Sequence, residues 1–382
     1  MSGHPGFIPV NLLTGFLGSG KTTLLRRLLQ DPSLAGAAVL INEFGEVGLD
    51  HHLIERIDET TVLLKAGCVC CTIRGELSEA IRDLHSKRER GLVPCFDRLV
   101  IESTGLADPF PILSTVRADP VLSSHFTLGN VVATVDAATA ARQTLRRPEW
   151  LKQVASADRI VLTKTDIAAP DAVAALSAEL LALNPTAEAV DVHGSSWSAA
   201  WLMAEDAATG DPLARRPAEE HGEPHGDHDH HPRAGQAPDQ NQGHGHHDGH
   251  GHGHGHGHGH GHGNRHDPNR HDATIHAFSV TLDRPIDWTG FGIWLTMLLN
   301  RHGAKVLRVK GILDLCGEER PVAVHGVQHL VHPPVHMAAW PAGPRQSRLV
   351  FIVDGLAEAT VRASLETFMA LADDMPAGEA AA

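Results

Sequence analysis

The stretch GFLGSGKT, residues 15–22, follows the apolar run IPVNLLTG (8–15) and leads into TTLLRRLLQ (22–30), whose apolar residues recur at three- and four-residue spacing. Strand, glycine-rich turn and helix in that order set a row of backbone N–H groups at a helix N-terminus, where phosphate oxygens are held. Gly15, Gly18 and Gly20, with Ser19 among them, let the backbone close around an anion. Lys21 supplies a charge to the outer phosphates and Thr22 a hydroxyl for Mg²⁺, with Thr23 beside them at the start of the helix.

Outward from this loop, the runs AAVLINEFG, TTVLLKAG, DRLVIES, NVVATVD and DRIVLTKTD alternate with helix-like segments such as ELSEAIRDLHSKRER and DAVAALSAELLALN, as far as about residue 195. That alternation predicts a largely parallel sheet covered by helices. Residues 205–272 then turn rich in Gly, His, Asp and Pro, with an unbroken His-Gly alternation from His250 to Gly263. Such a composition cannot form a packed core. Beyond it, HAFSVTLDRP, helical WTGFGIWLTMLLNRHG, AKVLRVKGILDL, RPVAVHGVQHLV, SRLVFIVDG and helical AEATVRASLETFMALA describe a smaller unit whose strands are joined by turns rather than by repeated crossovers. The expected fold class is therefore α/β. A P-loop NTPase domain with a mostly parallel sheet (1–204) is followed by a disordered His-rich linker (205–272) and a smaller α+β C-terminal domain (273–374).

The chain has 382 residues, 42% of them hydrophobic, and a formal charge of −14 with histidine neutral. That balance excludes duplex nucleic acid as a routine partner, which needs an excess of Lys and Arg, so an anionic ligand must be held locally. No run is long and apolar enough to predict a membrane span. The stretch Phe7 to Leu17 lacks the basic start and small-residue cleavage site of a secretory signal. Five cysteines, three of them at Cys68, Cys70 and Cys71, do not resemble a secreted disulfide framework, and a reducing cytoplasm is expected.

Two later segments fit the same site. LVIESTG brings Glu102 and Gly105 to the carboxyl end of a strand, where an acidic residue can hold the Mg²⁺ shell and a glycine can approach the γ-phosphate. TKTD, residues 163–166, closes another strand. There Asp166 could accept both N–H groups of a guanine edge while the Lys164 stem covers the base, a pairing adenine cannot match.

GCVCCT (67–72) is the second strong signal. Three cysteines within four positions bring thiolates close enough to share one soft cation, and disulfide exchange is the competing use. In extended geometry Cys68 and Cys70 face one side and Cys71 the other, so Gly67 must permit a bend if all three are to ligate. A following helix near Glu76 would lower thiolate pKa values. Further ligands are available in NEFGEVGLD, with Glu43, Glu46 and Asp50 ahead of His51 and His52, where P-loop GTPases keep a switch responsive to the γ-phosphate. Cys95 and Cys316 are expected to be small core residues.

GFLGSGKTTLL, NEFGEVGLD, GCVCCT, ESTGLADP, TKTD and the C-terminal HGVQHLVHPP with AAWP resemble, in order, the motifs of the CobW-like family of P-loop GTPases. The likeness covers almost the whole chain outside the linker. It implies a GTP-dependent metallochaperone that delivers zinc, or cobalt, to apo-metalloprotein clients. Lys21 and Thr22 then bind phosphate and Mg²⁺, Glu102 belongs to the magnesium region, Lys164 and Asp166 read guanine, and Cys68, Cys70 and Cys71 form the metal site with Glu43. Thr163 departs from the pattern, standing where many GTPases have Asn.

Seventeen of the 29 histidines lie between His221 and His271, where neutral imidazoles on a flexible arm would collect borderline metals weakly and exchangeably. His325, His329, His332 and His336 have helical spacing broken by Pro333 and Pro334, and are expected to be separate core or surface residues. The alternatives are a cobalt insertase serving cobalamin synthesis, a metal buffer with a vestigial triphosphatase site, and an ATP-using kinase. A homodimer is allowed for.

Overall fold

The computed structural model describes residues 6–42, 62–66, 73–140, 147–204 and 275–373. The segment Glu43–His52, the cysteines Cys68, Cys70 and Cys71, and the His-rich residues 205–272 lie outside the described residues.

In the nucleotide half the elements are β1 (Ile8–Gly15), α1 (Lys21–Leu29), β2 (Ala37–Asn42), β3 (Val62–Ala66), α2 (Ile73–Glu89), β4 (Arg98–Glu102), α3 (Pro109–Ala118) and α4 (Pro120–His125). β5 (Phe126–Asp136), α5 (Ala137–Ala140), α6 (Pro148–Ser156), β6 (Arg159–Thr163), α7 (Pro170–Leu183), β7 (Glu188–Asp191) and α8 (Ala199–Leu202) complete it. The seven strands pair in the order β3-β2-β4-β1-β5-β6-β7, every pair parallel. β1 is buried along its whole length, as a central strand covered on both faces must be, which is why IPVNLLTG is a continuous run rather than an alternating one. Parallel pairing also brings every carboxyl end to one edge, with the β1 turn flanked by the ends of β4 and β5.

The C-terminal part holds β8 (Ile275–Leu282), α9 (Trp288–His302), β9 (Val306–Leu313), β10 (Val322–Val327), β11 (Leu330–Val331), β12 (Val335–His336), β13 (Ser347–Asp354) and α10 (Glu358–Asp373). Its sheet runs β11-β10-β9-β13-β8, with β12 also on β10, and all pairs are antiparallel. One connection is a crossover after all: α9 carries the chain from β8 to β9, and β13 fills the gap between them. Phe278, Phe291, Trp294, Phe351 and Leu365 form the core on the α9 and α10 side.

The two parts share one compact unit. Ile275, Leu307 and Ile352 join an apolar cluster with Trp150, Leu176 and Leu180 of the nucleotide half. The β13–β9 register shifts between Ile352 and Val353, and the consecutive residues Leu307 and Arg308 both reach across. Arg308, fully buried, donates to the Ser156 carbonyl at 2.6 Å and to the Asp158 carboxylate, whose other oxygen accepts the Val131 N–H at 2.8 Å.

His325 and His332 meet at this junction instead of standing apart. The β10–β11 turn stacks their rings with centroids 4.3 Å apart, and the His332 N–H donates to the His325 carbonyl at 2.8 Å. Burial lowers the pKa of His332 from 6.5 to about 4; Asp158 opposes the shift, and Arg308, Arg117 and Lys310 add to it. His325 is likewise held well below 6.5, by burial first and then by His332, Arg308 and Lys310. Between those folded values and 6.5 the unfolded chain binds more protons, so stability is lost as pH falls through that window. The melting temperature is therefore expected to drop between pH 6.5 and about 4. A His332→Phe variant, which keeps the stack but cannot titrate, should show a flatter profile, measured by thermal melts across that range.

Candidate functional site

Ten of the sequence-predicted residues converge at the carboxyl edge of the parallel sheet: Gly15, Gly18, Ser19, Gly20, Lys21 and Thr22 from the β1–α1 turn, Glu102 and Gly105 from the end of β4, and Thr163 and Lys164 from the end of β6. Gly20 has φ +88° at the cap of α1, a left-handed conformation that a side chain disfavours. At Gly105 a Cβ would sit 2.6 Å from the Leu17 backbone nitrogen, so only glycine lets the β4 loop lie against the phosphate loop. Thr23 is exposed in the first turn of α1.

Lys21 is buried, and its Nζ donates to the carbonyls of Gly15 at 2.9 Å and Phe16 at 3.2 Å. Burial pulls its pKa below the ordinary lysine value, with the Glu102 carboxylate acting against that shift. Thr22 Oγ1 donates to Glu102 Oε1 at 2.6 Å. A hydroxyl and a carboxylate in contact are the hard oxygen donors that Mg²⁺ takes, so this pair fits that ion. Ser19 Oγ lies 2.6 Å from Thr134 Oγ1, and the Ser19 carbonyl accepts from Thr163 Oγ1 at 2.8 Å. The hydroxyl of Thr163 thus ties the β6 turn to the phosphate loop with no asparagine there.

Lys164 sits at φ +56° and its Nζ donates to Asp136 Oδ2 at 2.6 Å. Asp166 is exposed two residues further on, with an oxygen 3.3 Å from His193 Nε2. The loop after β4 is held from below by Gln153 of α6, whose Nε2 donates to the carbonyls of Gly105 at 3.2 Å and Ala107 at 3.0 Å. Asp108 ends that loop, capping α3 through the Phe110 N–H and pairing with Lys152.

Sequence reasoning missed Asp136 and Gln153. A polar residue closing the strand-like NVVATVD was a usable signal for Asp136; Gln153, on a helix with no nearby motif, carried none. Cys95 and Cys316 are a correction, since both are free and exposed, in the loop ahead of β4 and the turn after β9. Among the described residues no group of three His, Cys, Asp or Glu side chains could hold a metal ion, and no helix is long and apolar enough to cross a membrane. The cysteine triad and Glu43 are outside them, although α2 begins at Ile73, closer to the triad than the periodicity alone suggests.

Comparison with known proteins follows the same outline. Residues 9–191 match the CobW/HypB/UreG nucleotide-binding domain, and residues 275–369 match the cobalamin synthesis protein cobW C-terminal domain. The zinc chaperone YjiA of Escherichia coli K12 is 47% identical over 161 residues, 42% of this chain and 50% of that protein. The zinc-regulated GTPase metalloprotein activator 1 of Schizosaccharomyces pombe is 33% identical over 193 residues, 48% of this chain and 45% of that protein. The chain thus spans about half the length of these curated relatives. A zinc chaperone CobW from Sinorhizobium is 26% identical with 95% of this chain and 97% of that protein covered. Among solved structures, the Zn(II)-bound YjiA GTPase from E. coli superposes with a TM-score of 0.65 at 28% identity, covering 95% of this chain and 99% of that one.

Proposed function

Because the chain belongs to the CobW family of P-loop proteins through both its nucleotide-binding and its C-terminal domains, we propose that it hydrolyses GTP to GDP and phosphate and uses that cycle to deliver zinc to apo-metalloprotein clients in a reducing cytoplasm. The observation that carries the reading is the convergence of Lys21, the Thr22–Glu102 pair, Gly105 and the Thr163–Ser19 tie on one sheet edge. Zinc is favoured over cobalt because the relatives at 47% and 33% identity are named for zinc. Thiolate donors favour it too.

On this reading the ammonium of Lys21 gives up the Gly15 and Phe16 carbonyls for the outer phosphate oxygens, and the glycine-rich backbone surrounds the rest. Thr22 and Glu102 hold Mg²⁺, which when bound neutralises charge developing on the phosphates. Gly105 lies close enough to the loop for its backbone to sense the γ-phosphate, and Gln153 sets its position. Lys164 covers the base and Asp166 accepts its N–H edge. Zinc is cargo, held by Cys68, Cys70 and Cys71 with Glu43 from the switch.

Coupling requires that the two nucleotide states differ in zinc affinity. Zinc titrations are expected to show a dissociation constant about tenfold or more apart between Mg²⁺ with a nonhydrolysable GTP analogue and GDP. Equal affinities reject coupling. Changing Cys68, Cys70 and Cys71 to Ser removes the tight site in both states, and a tight site that survives rejects the cysteine assignment. Cobalt titrated against zinc under the same conditions decides between the two ions.

A further inference from the structure

We propose that Asp136 is a positioning residue for base selection: it holds Lys164, and through Lys164 the turn that reads guanine. The proposal deepens the guanine-nucleotide reading above and rests on it.

Asp136 is the last residue of β5 and is buried. One carboxylate oxygen accepts the N–H groups of Ala138 at 2.9 Å and Thr139 at 3.2 Å, capping α5 and fixing the direction of the carboxylate. The other oxygen takes the Lys164 ammonium. Burial alone would raise the Asp136 pKa, but Lys164 and the Thr139 contacts more than offset it and keep the group ionised.

Lys164 needs such a partner. A left-handed backbone costs any residue with a Cβ free energy and persists only where surrounding contacts enforce it. The turn is tied at three successive residues: Thr163 to the Ser19 carbonyl, Lys164 to Asp136, and Thr165 Oγ1 to Asp191 Oδ1 at 2.7 Å. The outer two are hydroxyl bonds, one to a carbonyl and one to the Asp191 carboxylate, and neither touches the Lys164 side chain. The Asp136 pair alone among the three engages the lysine side chain, whose stem must lie along the base, and together with the Thr165 bond and the Ile167 N–H donated to the Lys164 carbonyl at 3.3 Å it holds the turn that aims Asp166. Without it the stem swings free, φ relaxes, and the carboxylate that distinguishes guanine from adenine is turned away. A phosphate grip through Lys21 is unaffected, so loss of Asp136 should erase selectivity and spare binding of triphosphate as such.

Asparagine at 136 keeps the helix cap and the shape but loses the charge. In competition against a fluorescent GDP analogue, Asp136→Asn is expected to lower the preference for GDP over ADP about tenfold, with ADP affinity unchanged and the melting temperature lowered only slightly, as the loss of a carboxylate with a lowered pKa requires. Lys164→Met, which keeps the stem, should lower it equally, and the double variant should lose no more than either single one because both break one pair. An unchanged preference, an additive double variant, or an equal loss for both nucleotides overturns the proposal. If the unaltered protein binds GDP and ADP alike, the guanine reading and this proposal fall together; if it prefers GDP and Asp136→Asn retains that preference, this proposal falls alone.

Discussion

Replacing Lys21 with alanine is expected to lower GTP turnover roughly a thousandfold, the range for removing a preorganised cation from a transferring phosphoryl group. The loss should come without a stability defect. In the folded chain the Lys21 ammonium is buried and its pKa is lowered, so below that folded value the group is charged in both states and its burial works against folding, a cost relieved only as pH rises through the folded value. Alanine removes that cost along with two hydrogen bonds to carbonyls of the loop itself. Single-turnover hydrolysis together with a thermal melt checks both halves. Wild-type turnover would take Lys21 out of the reaction, and a collapsed melt would mean that the lost turnover reports on folding.

Arg308→Ala should have the opposite profile, a large loss of stability. It strands Asp158, buried at 4% exposure, with its main cationic partner gone. Breaking one side of a buried ion pair costs about 3–5 kcal/mol, which for a unit of this size lowers the melting temperature by roughly 10 °C. Neutralising the other side should recover much of it, so Arg308→Met combined with Asp158→Asn is expected to melt well above Arg308→Ala. A single variant that melts like the parent would show that the C-terminal sheet is held by Ile275, Leu307 and Ile352 alone.

The contrast between these two residues marks where sequence reading stops. Lys21, Thr22, Glu102 and Thr163 were legible because each ends or follows an apolar run, and parallel pairing then gathers strand ends at one edge. α7, α9 and α10 were legible from their spacing. β7 was not, being four residues with a single buried position. Nor was α3, where Pro109 and Pro111 argue against a helix, although Pro109 stands in the first turn after the Asp108 cap and needs no N–H there. Arg308 and Asp158 are 150 positions apart, and nothing local in VLRVKGIL or ASADRIVL announces the partner. The His325–His332 stack failed for a related reason: helical spacing was the wrong frame for residues that a β-turn folds together. The exposed Cys95 and Cys316 show that a cysteine in a proline or glycine turn is placed by the turn and not by its own preference for the interior.

The two hydroxyl bonds at Ser19 have a kinetic consequence. Its side chain is bonded to Thr134 and its carbonyl to Thr163, so the phosphate loop and the β6 turn are tied by the protein's own groups. On the reading proposed above, the change a nucleotide brings is then confined largely to side chains such as Lys21, and the backbone of the cradle does not have to form around it. On that reading nucleotide affinity is expected to be tuned through the release rate more than through the capture rate.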